Sequence, residues 1–291
     1  MKTQQVYLQW YPEFKAFGVK DDIIENLEKQ EIIPIISLKK EDYAMFEVAY
    51  PDEKAALIGF LCCREEGVYT VDFNYAKALA QTGKNLRFMT YNQNVAQMKD
   101  IDGLMLPGGR FESPAIFYTD PLKRTSGEPG ARSYAYITSI IEAERRKLPM
   151  LGVCAGAQMV GGVHGMKLYR DVKAYTKTEL EHKTEILEAH DITIYPDTPL
   201  FTLLGGKLVH VNSRHKEALV NNDTASDLKI YAVATDGTPE AWGNAEKKIL
   251  CIQWHPEDFA AQGNQSMQNL YDWLGSEAQK YKEDKAENND L

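Results

Sequence analysis

Apolar runs in this chain stop well short of the ~18 residues that a membrane-crossing helix requires, so no such helix is expected. The opening stretch MKTQQVYLQWYPEFK lacks the ~7 to 15 residue apolar core of a secretory signal, which makes a cytoplasmic protein the expectation. Cysteine is scarce. Cys62, Cys63, Cys154 and Cys251 form no Cys-x-x-Cys pair and no regular spacing, which points away from a disulfide framework and a zinc site. Reduced thiols are expected, with no metal and no cofactor. Positive charge is also in short supply: 33 Lys and Arg against 42 Asp and Glu give a net charge of −9, the wrong sign for a phosphate backbone. No nucleic-acid partner is expected. The one basic knot, Arg145, Arg146 and Lys147, closes a predicted helix, where cations complement the helix dipole. No internal repeat is visible.

What remains is a chain of 291 residues, 44% hydrophobic, with the length of one large α/β domain and an appendage. Residues 1–54 read as a strand-helix-strand extension: VYLQWY, then DDIIENLEKQ with Ile23, Ile24 and Leu27 on one face, then IIPIISL. It stands where it would cover an edge of a main sheet or mediate association. The polar break at Tyr50, Pro51, Asp52, Glu53 and Lys54 separates it from residues 55–280. There strands and helices alternate, ALIGFLCC, then VDFNYAKALAQTG stopping at Gly83, then LRFMTY, as a parallel sheet demands. DIDGLMLPGGR is a strand ending on Gly108 and Gly109, beyond which ligands sit in open α/β sheets. A polar loop over residues 119–131 leads into a helix over 133–147 whose buried stripe carries Ile137, Ile140 and Ile141. Past Cys154, short strands with turn signals (HDITIYP, GKLVHVNS, DLKIYAVATDG, PEAWG, KKILCIQW) give a locally antiparallel second half. A last helix runs from about Gln265 to Tyr281. The tail over 281–291, without apolar content, is expected to be disordered.

The chemistry gathers at KLPMLGVCAGAQ. An apolar strand ends on Cys154, which Gly152 and Gly156 bracket as glycines bracket the serine of a Gly-x-Ser-x-Gly elbow. The free N–H groups and dipole of the helix that follows favour a thiolate there. Most free cysteines are small buried core residues, so a base is needed to decide. IQWHPEDF supplies it: His255 can take and return a proton, and Glu257 can hold the ring in one tautomer. Pro256 presets the relation between them.

LPGGRFESPAIFY, GVCAGAQ, GMKLYRDV, VNSRHKEAL, DGTPEA and IQWHPE, in that order, resemble the motifs of the class I glutamine amidotransferase-like superfamily. They look most like its free-standing γ-glutamyl hydrolase branch, typified by γ-glutamyl-γ-aminobutyrate hydrolase. The likeness covers roughly three quarters of the chain, from about Ala55 onward. It implies a flavodoxin-like fold, a mostly parallel central sheet flanked by helices with a smaller antiparallel sheet. It also implies Cys154 as nucleophile, His255 as base and acid, Glu257 as orienting carboxylate, and the N–H groups of Gly109 and Ala155 as the oxyanion hole. Gly108, Gln158, Ser213 and His215 would contact substrate. The partners it implies are a small γ-glutamyl compound and water, and by analogy a second copy in a homodimer.

Three positions depart from the family pattern. Ala155 stands where a larger side chain such as arginine is usual, Glu217 where the SxHxQ pattern has glutamine, and Arg170 where LYQD has glutamine. They alter pocket walls and leave the catalytic atoms alone. Two other readings stand beside a γ-glutamyl hydrolase: a glutaminase component that supplies ammonia to a separate synthase, and a binding protein whose site has decayed.

Overall fold

The computed structural model describes residues 2–109, 113–120, 130–221 and 226–289. Residues 110–112 of the LPGGRFE motif, 121–129 of the polar loop and 290–291 of the tail lie outside them. Four short apolar segments, Leu57–Leu61, Gly103–Leu106, Met150–Val153 and Ile249–Ile252, form the parallel heart of an 11-stranded sheet, with Asn85–Met89 beside the first. They are buried almost throughout, which is why they read as continuous apolar runs and not as alternating ones.

Two glycines show how both faces are covered. A side chain on Gly103 would strike Leu274 and Ala278 of the helix Gln265–Asn289, and one on Gly152 would strike Ala157 of the helix Ala155–Val163. Gly152 stands beside Leu106 in the parallel register, an odd number of residues on from Gly103, so the two helices lie on opposite faces. Beyond Ile249–Ile252 the pairing turns antiparallel through Pro239–Asn244, Lys229–Ala234, His190–Ile194 and Leu208–Val211. The fold is α/β, as expected from the alternation.

Residues 1–54 are no separate unit. Lys2–Tyr7 pairs in parallel with Ile32–Ser37, which joins the sheet edge at Asn85–Met89, while Gln9–Tyr11 and Ala16–Lys20 form a four-stranded antiparallel sheet with Val68–Asp72 and Cys63–Glu65. Leu8, Phe17, Ile24 and Ile36 belong to the same core as Phe60 and Phe88. The polar break at 50–54 connects these strands to Leu57–Leu61.

The expectation of a disordered tail is likewise corrected, since Gln265–Asn289 is one continuous helix. Lys282 Nζ donates to Ala55 O at 2.8 Å, and Gln279 Nε2 donates to Glu283 Oε1 at 3.1 Å. A helix already anchored by Met267, Leu270 and Leu274 extends through Lys, Glu and Ala at little cost, because only nucleation is expensive. Among the described residues no helix is long and apolar enough to cross a membrane.

Candidate active site

Cys154 sits at the tip of the turn between the strand Met150–Val153 and the helix Ala155–Val163, with φ 49° and ψ −113°. That backbone conformation is costly for a residue with a Cβ and persists only where its surroundings enforce it. Here Cys154 N donates to Ile252 O at 2.7 Å, and Gln158 N donates to Cys154 O at 3.0 Å. Gly156 explains the bracket. A Cβ there would fall 2.1 Å from Leu106 O and 2.9 Å from Pro107 O, both backbone atoms that cannot step aside. We expect Gly156→Ala to cost about 3 kcal/mol, the upper part of the overpacking range. Thermal unfolding measures it, and an unchanged midpoint would contradict the close approach.

His255 is delivered by the neighbouring strand Ile249–Ile252 and begins the short helix Pro256–Ala260. Its Nδ1 lies 2.6 Å from Glu257 Oε1, and its ring and the Cys154 side chain both flank Gly108. Burial disfavours charge on the ring. Glu257 and Cys154 outweigh burial and hold the His255 pKa well above its ordinary value. The buried Tyr271 hydroxyl donates to Glu257 Oε2 at 3.2 Å. Its phenol stays neutral because burial first, and the Glu257 charge second, push its pKa up. Imidazole, carboxylate and phenol therefore form a single hydrogen-bonded chain beside the Cys154 thiol.

Gly108 abuts this chain directly, since a Cβ on it would come within 2.9 Å of His255 Cε1 and 3.0 Å of Cys154 Cβ. Its backbone is held at both ends. Gly108 N donates to the Tyr75 hydroxyl at 3.1 Å, and Gly108 O accepts from Arg132 Nη2 at 2.7 Å. Arg132 also packs over the Tyr136 ring and donates to its hydroxyl at 3.1 Å. Asn212 clamps the histidine, with His255 N donating to its Oδ1 at 2.7 Å and its Nδ2 donating to His255 O at 2.9 Å. Tyr75, Arg132, Asn212 and Tyr271 carried no signal in the sequence beyond the presence of Asn212 in VNSRH.

A cleft of about 470 Å³ opens over Cys154, with Gly109 and Ala155 among the residues of its wall. A larger cavity of about 560 Å³ lies at the sheet edge near Gln5, Arg87 and Lys282, but neither cysteine nor histidine lines it. The expected substrate contacts divide. Gln158 lines the cleft, yet its amide nitrogen is taken by Glu217 O at 2.9 Å and Gln253 Oε1 at 3.0 Å. Ser213 does not reach the cleft. It is fully buried and its hydroxyl donates to His182 O at 2.8 Å, so the role expected of it is corrected to holding the 182 loop. His215 is on the wall, but its ring turns inward, with Nδ1 2.9 Å from Glu217 O and Nε2 3.5 Å from Glu240 Oε1.

Two of the departures from the family pattern act together. The Arg170 guanidinium lies 3.7 Å above the Tyr118 ring, and the Tyr118 hydroxyl donates to both carboxylate oxygens of Glu217 at 2.8 and 2.9 Å. Arg170 Nε is tied to Asp120 Oδ1 at 3.0 Å. This stack sets the Glu217 carboxylate on the cleft wall, where Lys183, Arg214 and Lys216 supply opposite charge.

Residues 66–257 match the Peptidase C26 family. The chain is 31% identical over 188 residues to Protein NtpR of Enterococcus hirae, covering 62% of this chain and 77% of that protein. It is 32% identical over 164 residues to anthranilate synthase component 2 of Helicobacter pylori, covering 55% and 73%. A crystal structure of a glutamine amidotransferase from Thermotoga maritima covers 79% of this chain and 99% of its own, with a TM-score of 0.52 at 13% identity, a likeness of fold.

Proposed function

The chain belongs to the Peptidase C26 family, and from that premise we propose that it hydrolyses the γ-glutamyl amide bond of a small γ-glutamyl compound through a thioester on Cys154. The observation that carries this reading is the hydrogen-bonded run of His255, Glu257 and Tyr271 beside Cys154, which lies in a cleft lined by Gly109 and Ala155. The Cys154 thiolate attacks the side-chain carbonyl carbon, and the N–H groups of Gly109 and Ala155 receive the oxyanion. His255 gives its proton to the departing amine as the C–N bond breaks. Water then adds to the thioester, His255 taking its proton, and glutamate leaves as the thiolate is restored. A γ-glutamyl group carries an α-carboxylate and an α-ammonium. Arg214 and Lys183 suit the first, and Glu217 suits the second.

A second reading, in which glutamine is the substrate and the ammonia passes to a synthase, is favoured by the likeness to anthranilate synthase component 2. The isolated protein distinguishes them. Turnover of γ-glutamyl amines at least about tenfold faster than glutamine, a difference of about 1.4 kcal/mol at the transition state, is the expected result. Glutamine turnover alone, rising when a synthase chain is added, would replace our reading with the second. Mass spectrometry of the trapped intermediate should find the γ-glutamyl mass on Cys154 and not on Cys62, Cys63 or Cys251.

A further inference from the structure

Behind the cleft wall, three imidazoles and one carboxylate meet with nothing between them. His182 Nδ1 and His190 Nε2 each lie 3.6 Å from Glu240 Oε1, and His215 Nε2 lies 3.5 Å from the same oxygen. All four residues are buried, and none of these nitrogens nor either Glu240 oxygen has a hydrogen-bond partner among the described residues. The distances exceed an N–H···O hydrogen bond of about 2.7 to 3.2 Å.

The opposite nitrogens are occupied. His182 Nε2 meets Asp236 Oδ2 at 2.9 Å, His215 Nδ1 meets Glu217 O at 2.9 Å, and His190 Nδ1 meets Asp191 O at 3.3 Å. An acceptor on the outer nitrogen keeps the ring proton there and turns the other nitrogen's lone pair inward. Lone pairs turned toward a buried carboxylate repel it unless a proton or a metal cation lies among them.

We propose that His182, His190 and Glu240 bind a divalent transition metal of the zinc class, with His215 beside Glu240 on the cleft side. One ligand atom from each of His182, His190 and Glu240 already lies within 4.8 Å of the others. Tetrahedral ligands about 2.1 Å from a zinc ion stand about 3.4 Å from one another, close to the 3.6 Å from Glu240 Oε1 to His182 Nδ1 and to His190 Nε2, and water would complete the coordination. Imidazole and carboxylate donors suit zinc, whereas calcium and magnesium take oxygen. Asp236 behind His182 supplies the carboxylate-histidine-metal arrangement that orients such ligands. The ligands come from three separate segments: the turn before His190, the strand His190–Ile194 and the strand Pro239–Asn244. The ion would tie these together and fix the wall that carries Arg214 and Glu217, a structural role independent of the hydrolysis proposed above.

The test uses the whole protein. Chelator-stripped wild type titrated with Co²⁺ is expected to take up one equivalent and show the visible ligand-field bands of a four-coordinate site. The same bands are expected in Cys154→Ala. Zinc should displace the cobalt and raise the thermal midpoint. Asp236→Asn, which leaves His182, His190 and Glu240 in place, should weaken zinc binding about 10- to 100-fold, and Glu240→Gln should abolish it. Absence of Co²⁺ uptake by folded wild type would overturn the proposal. So would bands that vanish in Cys154→Ala, which would place the metal on the nucleophile, or undiminished affinity in a folded Glu240→Gln protein.

Discussion

Replacing Cys154 by alanine is expected to lower glutamate release from γ-glutamyl amides by at least about 10⁴-fold, the loss typical of removing a covalent nucleophile. Cys62 and Cys251 cannot substitute. Both are fully buried away from the cleft, and burial pushes each thiol far above its ordinary pKa. Binding should survive, because Gly109, Ala155, Arg214 and Glu217 keep their places on the cleft wall. The variant should therefore retain affinity for substrate while losing turnover. Activity near that of wild type in a folded Cys154→Ala protein would end the thioester mechanism.

Glu257→Gln is expected to cost about 10²- to 10⁴-fold in kcat with little change in KM. The variant keeps the shape and reverses the polarity. Tyr271 donates to Oε2, so the glutamine oxygen must turn toward it and the amide N–H toward His255 Nδ1. A donor facing Nδ1 makes that nitrogen the acceptor and moves the ring proton to Nε2, where it can no longer accept a proton from the thiol.

The change also has a pH signature. Burial opposes charge on His255, while Glu257, and after it Cys154, raise its pKa. A ring whose folded pKa lies above its unfolded value of about 6.5 adds stability that is full below that value and lost as pH rises through the folded pKa. With Glu257 gone, the ring should be neutral at pH values where it is charged in wild type. Nitrogen chemical shifts of the imidazole report this directly. The stability gap between the two proteins should be widest in acid and close in alkali. A ring equally charged in both would contradict the assignment of Glu257.

The legible parts of this site are those whose geometry is local. Gly152, Cys154 and Gly156 specify a turn within five residues, and His255-Pro256-Glu257 fixes a ring against a carboxylate within three, so both could be read before any fold was known. Ser213 and Gln158 show the limit. Their motifs put them near the site, but whether a hydroxyl or amide faces the cleft depends on His182 O and Gln253, which arrive from elsewhere in the chain. Tyr75, Arg132 and Tyr271 reach Gly108 and Glu257 from helices on distant segments, with no spacing to betray them. The same holds for His182, His190, His215 and Glu240, too widely separated to form a ligand motif. At the fold level, the alternation of strands and helices was visible in the chain. The fate of KEDKAENN was not, because its composition suits a solvated coil and an anchored helix equally well.

The position of the Ile249–Ile252 strand governs when during its synthesis the molecule becomes reactive. That strand lies at the centre of the sheet between Met150–Val153 and Pro239–Asn244, and both its neighbours precede it in the chain. A nascent chain that has already emerged past Cys154 still lacks the strand that accepts the Cys154 N–H at Ile252, the histidine that follows it, and the helix that brings Tyr271 to Glu257. Insertion of a late, central strand is a non-local event and belongs to the slow part of folding. The thiol is thus translated early and joined by its partners late: an unfinished or truncated chain carries Cys154 without the strand, ring and carboxylate that the folded protein sets beside it.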